Sequence, residues 1–415
     1  MLTRGLGRSY GDASLPPAGR GPVACSIRAD RILDFDETTG SLRVEAGLRL
    51  GRLVEMFLPR GFFVPVTPGT REVTIGGMIA ADVHGKNHHV AGTIGAHVEA
   101  LRMRLPDGSI EEIRDASHPE LFRATLGGMG LTGHILDVTL TLERVASSRI
   151  VEEARAFPDL ESLIDGLEQA SGDWPFTVAW SDLLARGTAR GRGILLRGRW
   201  ADPAQTAPSS PSALPRVRIP AAMPSALLGN RSVGAFNALR YAAALRGASA
   251  DASATGTRVR SAESFFYPLD ALRDWNLLYG RRGFTQYQCV MPRDATLRSY
   301  RRLVDLACGG GPGPFLAVIK DCGAEGKGLL SFPMPGISFA LDFPVHNGTA
   351  SLVARMNEVV AAAGGRIYLA KDAFTTAQQL AAMEPRLPAF LELRRRIDPE
   401  RRIDSALATR LFGNS

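Results

Sequence analysis

The residues best equipped for chemistry lie in the segment His84-Gly-Lys-Asn-His-His89, preceded by the turn Pro68-Gly-Thr-Arg71 and the pair Gly76-Gly77. Three histidines and a lysine within six positions offer hydrogen bonding, positive charge and metal ligation. A metal site is not expected. The spacing is loop-like, and no carboxylate or cysteine accompanies the histidines. The double glycine allows the backbone to approach a neighbouring group closely. A second cluster, Thr3-Arg-Gly-Leu-Gly-Arg-Ser-Tyr-Gly-Asp12, opens the chain. Its consecutive backbone N–H groups can wrap a pyrophosphate, and Arg4 and Arg8 add charge. Neither cluster has the Rossmann or Walker spacing.

The elements that must position these clusters are short. Ile32 to Asp36 and Ser41 to Ala46 alternate polar and apolar residues, with Thr39-Gly40 as the turn between two strands. Leu50, Leu53, Val54 and Phe57 recur at helical spacing. Val98 to Leu105 and Ile110 to Ile113 flank Pro106-Asp-Gly-Ser and predict a hairpin. The character changes near residue 149. Two strand-like runs then surround a helix at 158–170, and 201–262 is rich in Pro, Ser and Ala, which predicts mobile loops bracketing a more apolar stretch, Met223 to Leu245, that reads as an amphipathic lid or a tolerated surface insertion. Strand patterning returns over 284–345. Phe284, Gln286 and Gln288 there fall at alternate positions and share one face. Helices and strands do not alternate regularly, so the expectation is an α+β fold rather than a parallel Rossmann sheet.

A chain of 415 residues exceeds one ordinary core, and two domains are expected. The net charge of +7 suits an anionic ligand or lipid headgroup surface. The basic residues are scattered without aromatic interleaving, which argues against nucleic acid. Cys25, Cys289, Cys308 and Cys322 form no CxxC pair and read as free thiols. No run of 18 apolar residues and no signal-type apolar region is visible, so the expected location is cytoplasmic or peripheral at the inner membrane.

Taken in order, the strings RGLGRSYGD, PGTREVTIGG, DVHGKNHH and GGMGLTG resemble the FAD domain of vanillyl-alcohol-oxidase-type flavoproteins. Within that superfamily the chain resembles the decaprenylphosphoryl-β-D-ribose 2′-oxidases, the FAD subunits of a 2′-epimerase. FYPLD (266–270), GFTQYQCVMP (283–292), SFPMPG (331–336), LDFP (341–344) and YLAKD (368–372) extend the resemblance over nearly the whole chain. It implies a PCMH-type FAD domain formed by 1–148 and 366–415, and a substrate domain over 149–365 with lid loops at about 201–262. It implies non-covalent FAD held by Thr3, Arg4, Gly5, Leu6, Gly7, Arg8, Ser9, Tyr10, Gly11, Asp12, Gly69, Thr74, Ile75, Gly76, Gly77, Ala81, Asp82, Val83, His84, Ile135 and Tyr368. His84 then hydrogen-bonds flavin or substrate; several superfamily members instead link flavin covalently through histidine. Lys371, Gln288 and His84 are the implied catalytic residues, and Lys86, Trp180, Lys320, Asp342, Gln288 and Lys371 the implied substrate contacts.

The implied reaction is oxidation of the 2′-hydroxyl of a polyprenylphosphoryl ribose, completed by a separate NAD(P)H-dependent short-chain keto-reductase. A soluble-sugar aldonolactone or alditol oxidase, or a non-catalytic partner-binding subunit, stay open as alternatives. Three positions depart from the family pattern: Ala340 replaces a frequent cysteine, Ser338 an asparagine and Phe266 a tyrosine. Relatives carry a βαβ-like unit before the first glycine loop, so a start further upstream is expected.

Overall fold

The computed structural model describes residues 1–415 apart from 20, 204–216, 223–228, 251–256, 296, 310 and 414–415, and the side chains of 247–250. The chain forms two compact units. The first comprises Met1–Val145, Ala324–Pro333 and Tyr368–Ser415; the second comprises Ala146–Gly323 and Met334–Ile367.

The first unit is built on an antiparallel sheet in the order Ile32–Phe35, Ser41–Glu45, His134–Thr141, Val98–Arg104, Ile110–Ile113. Leu42, Val44, Val138, Leu140, Leu101 and Met103 are buried; in Ser41–Glu45 they alternate with partly exposed residues as period two requires, whereas Ala100 and Asp137 are buried as well, beside the register shifts in Val98–Arg104. The helix Leu50–Phe57 buries Leu50, Leu53, Val54 and Phe57, the four positions of its apolar stripe. A short parallel pair, Leu2–Arg4 with Val23–Cys25, leads into the first glycine loop.

Residues 324–333 depart from the expected domain order, which assigned 149–365 without interruption to the second domain. They belong to the first unit. Leu330 and Phe332 are buried, Leu329 N–H donates to Arg123 O at 2.8 Å, and an Arg386 N–H donates to Ser331 O at 2.8 Å. Such a segment has no periodic pattern of its own; its place is set by distant partners. The return to the first unit also begins at Tyr368. There Arg366–Ile367 forms a short strand and Leu369–Lys371 a 3-10 turn.

The second unit carries an antiparallel sheet in the order Thr257–Ser261, Arg149–Phe157, Gly193–Trp200, Phe176–Ser181, Leu316–Cys322, Gly336–Pro344, Phe284–Pro292, Arg366–Ile367. The helices Leu160–Asp173 and Leu297–Gly309 pack on one of its faces, through Ser171 beside Thr177 and Tyr300 beside Phe339. The opposite face carries Trp180 and Ile194, against which Tyr241 of the helix Asn230–Ala250 is buried.

Much of the expected lid, residues 204–216, 223–228 and 251–256, lies outside the described residues. What is described of 201–262 is not loop alone. Asn230–Ala250 is a helix tied to the sheet, and Thr257–Ser261 is the sheet's edge strand. Side-chain hydrogen bonds from Asn237 and Tyr241, invisible to composition, hold that helix in place. No described helix is long and apolar enough to cross a membrane.

Candidate functional site

In the first unit, the loop after Leu2–Arg4 is shaped by contacts that leave no room for side chains. A Cβ on Gly5 would meet Thr74 Oγ1 at 2.1 Å, and one on Gly11 would meet the carbonyl oxygen of Asp372 at 1.8 Å. Gly7 adopts φ +61°, a conformation that favours glycine. Tyr10 N–H donates to Ala370 O at 2.9 Å, and Lys371 Nζ stands 3.7 Å over the Tyr10 ring. Asp12 and Asp372 both pair with Arg410, at 2.6 and 2.7 Å. Burial disfavours the charge on Arg410, but the hydrogen bonds and charges of Asp12 and Asp372 outweigh it and raise its pKa. Asp12 thus braces the loop through its side chain. Thr3 Oγ1 bonds His134 Nδ1, next to Ile135, and Arg8 donates to Glu72 O at 3.2 Å.

Thr74 caps the short helix Ile75–Ala80, accepting from Gly77 N–H at 3.3 Å. The N–H groups of Ile75 and Gly76 donate to Leu48 O and Ala46 O, and a Cβ on Gly76 would lie 2.8 Å from that of Ala46. The close approach expected at Gly76 is therefore made to the chain's own Ala46. Gly69 faces open space.

The histidine segment follows. His84, 4% exposed, bridges to Thr93 across a short antiparallel contact. Its ring centroid lies 5.2 Å from those of both Phe332 and Tyr368, which are 4.9 Å apart. Tyr368 donates its hydroxyl to Ala81 O at 2.9 Å, and burial pushes its pKa well above the usual phenol value. Asp82 next to it is fully buried at φ +41°. It accepts from Ser331 Oγ at 2.5 Å and Gly95 N–H at 3.0 Å. Desolvation raises its pKa against those bonds, against Thr93 and against the charge of Arg386. Val83 is buried behind this turn and Lys86 is half-buried beyond it. Among the described residues, no three His, Cys, Asp or Glu side chains converge to hold a metal ion.

The second unit places its expected residues on one face. Trp180, Val318, Ala340 and Gln288 are register partners across four strands. Lys320, Ser338 and Val290 form the adjoining row on one side, and Leu316, Asp342 and Gln286 the row on the other. Rows two residues apart point the same way, so Trp180, Gln288, Lys320 and Asp342 share a face with Gln286, Ser338 and Ala340. Gln288 donates to Ser338 Oγ at 3.3 Å, and Gln286 donates to Asp342 Oδ1. Burial lowers the pKa of Lys320, while Cys322 acts weakly the other way.

His84 and Lys371 thus belong to the first unit and Gln288 to the second. Sequence reasoning did not find Arg410, Phe332 or Arg240, whose guanidinium lies 4.4 Å above the Trp180 ring. SFPMPG marked the surroundings of Phe332, but nothing local marked the two arginines.

The first unit fits FAD. Among the described residues, nothing accepts from the backbone N–H groups of Leu6, Gly7 or Ser9, and Arg4 and Arg8 flank them. That donor set matches a pyrophosphate. The buried His84, Phe332 and Tyr368 rings provide the aromatic surroundings a flat heterocycle needs. A family model described as an FAD binding domain matches residues 1–114. The protein is accordingly an FAD-dependent oxidoreductase.

The chain is 34% identical over 425 residues to decaprenylphosphoryl-β-D-ribose oxidase of Mycolicibacterium smegmatis, covering 99% of this chain and 89% of the relative. It belongs to that family. An uncharacterized protein of Streptomyces coelicolor is 36% identical over 381 residues, 88% of this chain and 100% of its own. L-Gulonolactone oxidase of Mus musculus is 29% identical over 144 residues, 34% of this chain and 31% of its own.

Proposed function

We propose that this protein oxidises the 2′-hydroxyl of a polyprenylphosphoryl-β-D-ribose to the 2′-keto compound. This is the first half of an epimerisation that a separate NAD(P)H-dependent short-chain keto-reductase completes. The observation that carries the reading is the polar face of the second unit, where Trp180, Gln288, Lys320 and Asp342 stand in three adjoining rows. It occurs in a chain aligned over 99% of its length with a relative named decaprenylphosphoryl-β-D-ribose oxidase.

Bound at this site, FAD would supply a two-electron acceptor for hydride from the alcohol carbon. The chain's own residues have the task of aiming the C–H bond and handling the hydroxyl proton. Loop 3–12 and Tyr368 hold the cofactor, with Gly69, Thr74 to Gly77, Ala81 to His84 and Ile135 supporting it. His84 is a hydrogen-bonding residue with no covalent tie. Gln288 and Lys371 orient the sugar. Trp180 offers it an apolar wall, and Asp342 accepts hydrogen bonds from its hydroxyls. Lys320, with its pKa drawn down by burial, polarises a hydroxyl. Lys86 adds positive charge toward an anionic substrate. The net charge of +7 supports peripheral contact with an anionic membrane surface, where such a lipid resides.

The test is anaerobic mixing of the flavin-loaded protein with a polyprenylphosphoryl ribose or with a soluble aldonolactone. Bleaching of the flavin band and a 2′-keto product from the first substrate are expected. Bleaching by the lactone alone would reject the reading.

A further inference from the structure

The helix Asn230–Ala250 is fixed to the sheet of the second unit by its inner residues. Asn237 Nδ2 donates to Asp182 Oδ1 at 3.0 Å, and Tyr241 donates its hydroxyl to Phe157 O at 3.1 Å. The Arg192 guanidinium, paired with Asp182 at 3.0 Å, lies 4.6 Å over the Tyr241 ring. These anchors determine where the neighbouring strip Phe236, Leu239, Arg240 stands, since residues three and four apart adjoin on a helix.

That strip is chemically unusual. Phe236 is 55% exposed and Leu239 71% exposed. Phe236 stacks on Phe315 with centroids 6.5 Å apart. Arg240 turns from them to lie 4.4 Å over the ring of Trp180, on the face that also bears Gln288 and Lys320. Among the described residues no carboxylate pairs with Arg240, whereas Arg192 on the same face has Asp182. A guanidinium seated on an aromatic face keeps its N–H fork for a second partner, and that fork suits phosphate oxygens.

The order of chemistry across the unit is thus polar face, cation, exposed apolar pair. A sugar joined through a phosphodiester to an isoprenoid chain has the same order: hydroxyls, one negative charge, hydrocarbon. We infer that Arg240 binds the phosphate of the substrate and that Phe236 and Leu239 receive the first isoprenoid units. The inference rests on the function proposed above. A soluble pentose or lactone would have no use for the cation or the apolar pair.

The experiment uses the full-length flavin-loaded protein. Its probes are a polyprenylphosphoryl ribose with three isoprene units, the matching uncharged alkyl riboside, and farnesyl phosphate as inhibitor. Arg240→Ala should raise KM for the phosphorylated substrate and Ki for farnesyl phosphate by about 10- to 100-fold, with kcat little changed. Arg240→Lys should recover part of that loss. The uncharged riboside should not distinguish Arg240→Ala from wild type. Phe236→Ser combined with Leu239→Ser should remove the advantage of a three-isoprene over a one-isoprene chain. Unchanged constants for Arg240→Ala and Arg240→Lys, within about twofold, in a wild type that does oxidise the phosphorylated substrate overturn the inference alone. An equal rise of KM for the uncharged riboside also overturns it, because that is what a merely structural contact would give. A wild type that ignores the polyprenylphosphoryl ribose but turns over a lactone sinks the functional reading itself.

Discussion

Replacement of Gly11 by alanine tests whether the first glycine loop is held as described. The added Cβ would lie 1.8 Å from the carbonyl oxygen of Asp372 and 3.2 Å from Cα of Ala373. Nonbonded heavy atoms settle near 3.5 Å, so one backbone must retreat by roughly 1.5 Å. Neither is free to do so. Asp372 is tied to Arg410, which also grips Asp12, and Tyr10 N–H is bonded to Ala370 O. Overpacking of this kind costs about 1–3 kcal/mol, and loosening the Tyr10 bond adds about 1 kcal/mol. If the strain is relieved by moving the loop, the loss falls on cofactor affinity. A loss of about 2 kcal/mol then corresponds to a roughly 30-fold weaker Kd for FAD. Flavin fluorescence titration of the apoprotein measures this, with thermal melting alongside. Gly172→Ala, whose new methyl would meet nothing within 4 Å near the end of the helix Leu160–Asp173, is the matched control and should melt at or slightly above the wild type, with FAD affinity unchanged. Wild-type affinity and melting in Gly11→Ala would refute the packing argument. A fall in stability with unchanged affinity would remove the loop from the cofactor site.

Two further outcomes are expected. Acid precipitation of the holoprotein should release FAD into the supernatant, consistent with His84 as a hydrogen-bonding residue; colour retained in the wild-type pellet but lost in His84→Ala would establish a covalent tie instead. Lys320 has a folded-state pKa below its unfolded value, so the unfolded chain binds more protons between the two. Its destabilising effect is complete below the folded pKa and fades as pH rises toward about 10.4. Lys320→Met should therefore melt higher at neutral pH and lose that rise. Parallel melting profiles across this range would show that the lysine is not desolvated.

The parts of the fold that were legible are those written in local periodicity. Leu50, Leu53, Val54 and Phe57 announce their helix because 3.6-residue spacing is a property of four neighbours. The hairpin of Val98–Arg104 with Ile110–Ile113 follows from a turn signal between two alternating runs. Gln286 and Gln288 could be placed on one face, but which rows flank them depends on register with strands up to about a hundred positions away. The assignment of 324–333 to the first unit was not legible, since Ser331 finds Asp82 at a separation of 249 residues.

The same argument limits what any short motif can say about the cofactor loop. Thr3 to Asp12 supplies the N–H groups, yet their arrangement is decided elsewhere. Thr74 closes one side against Gly5, and Asp372 closes the other against Gly11. Arg410 links Asp12 to Asp372 from 398 positions down the chain. A glycine-rich string matched alone identifies groups able to bind a pyrophosphate. Only with the Tyr368 to Asp372 turn and Arg410 in place does it acquire a shape that could select one. Substitutions at Arg410, which has no motif to advertise it, should therefore disturb flavin binding as much as substitutions within the loop.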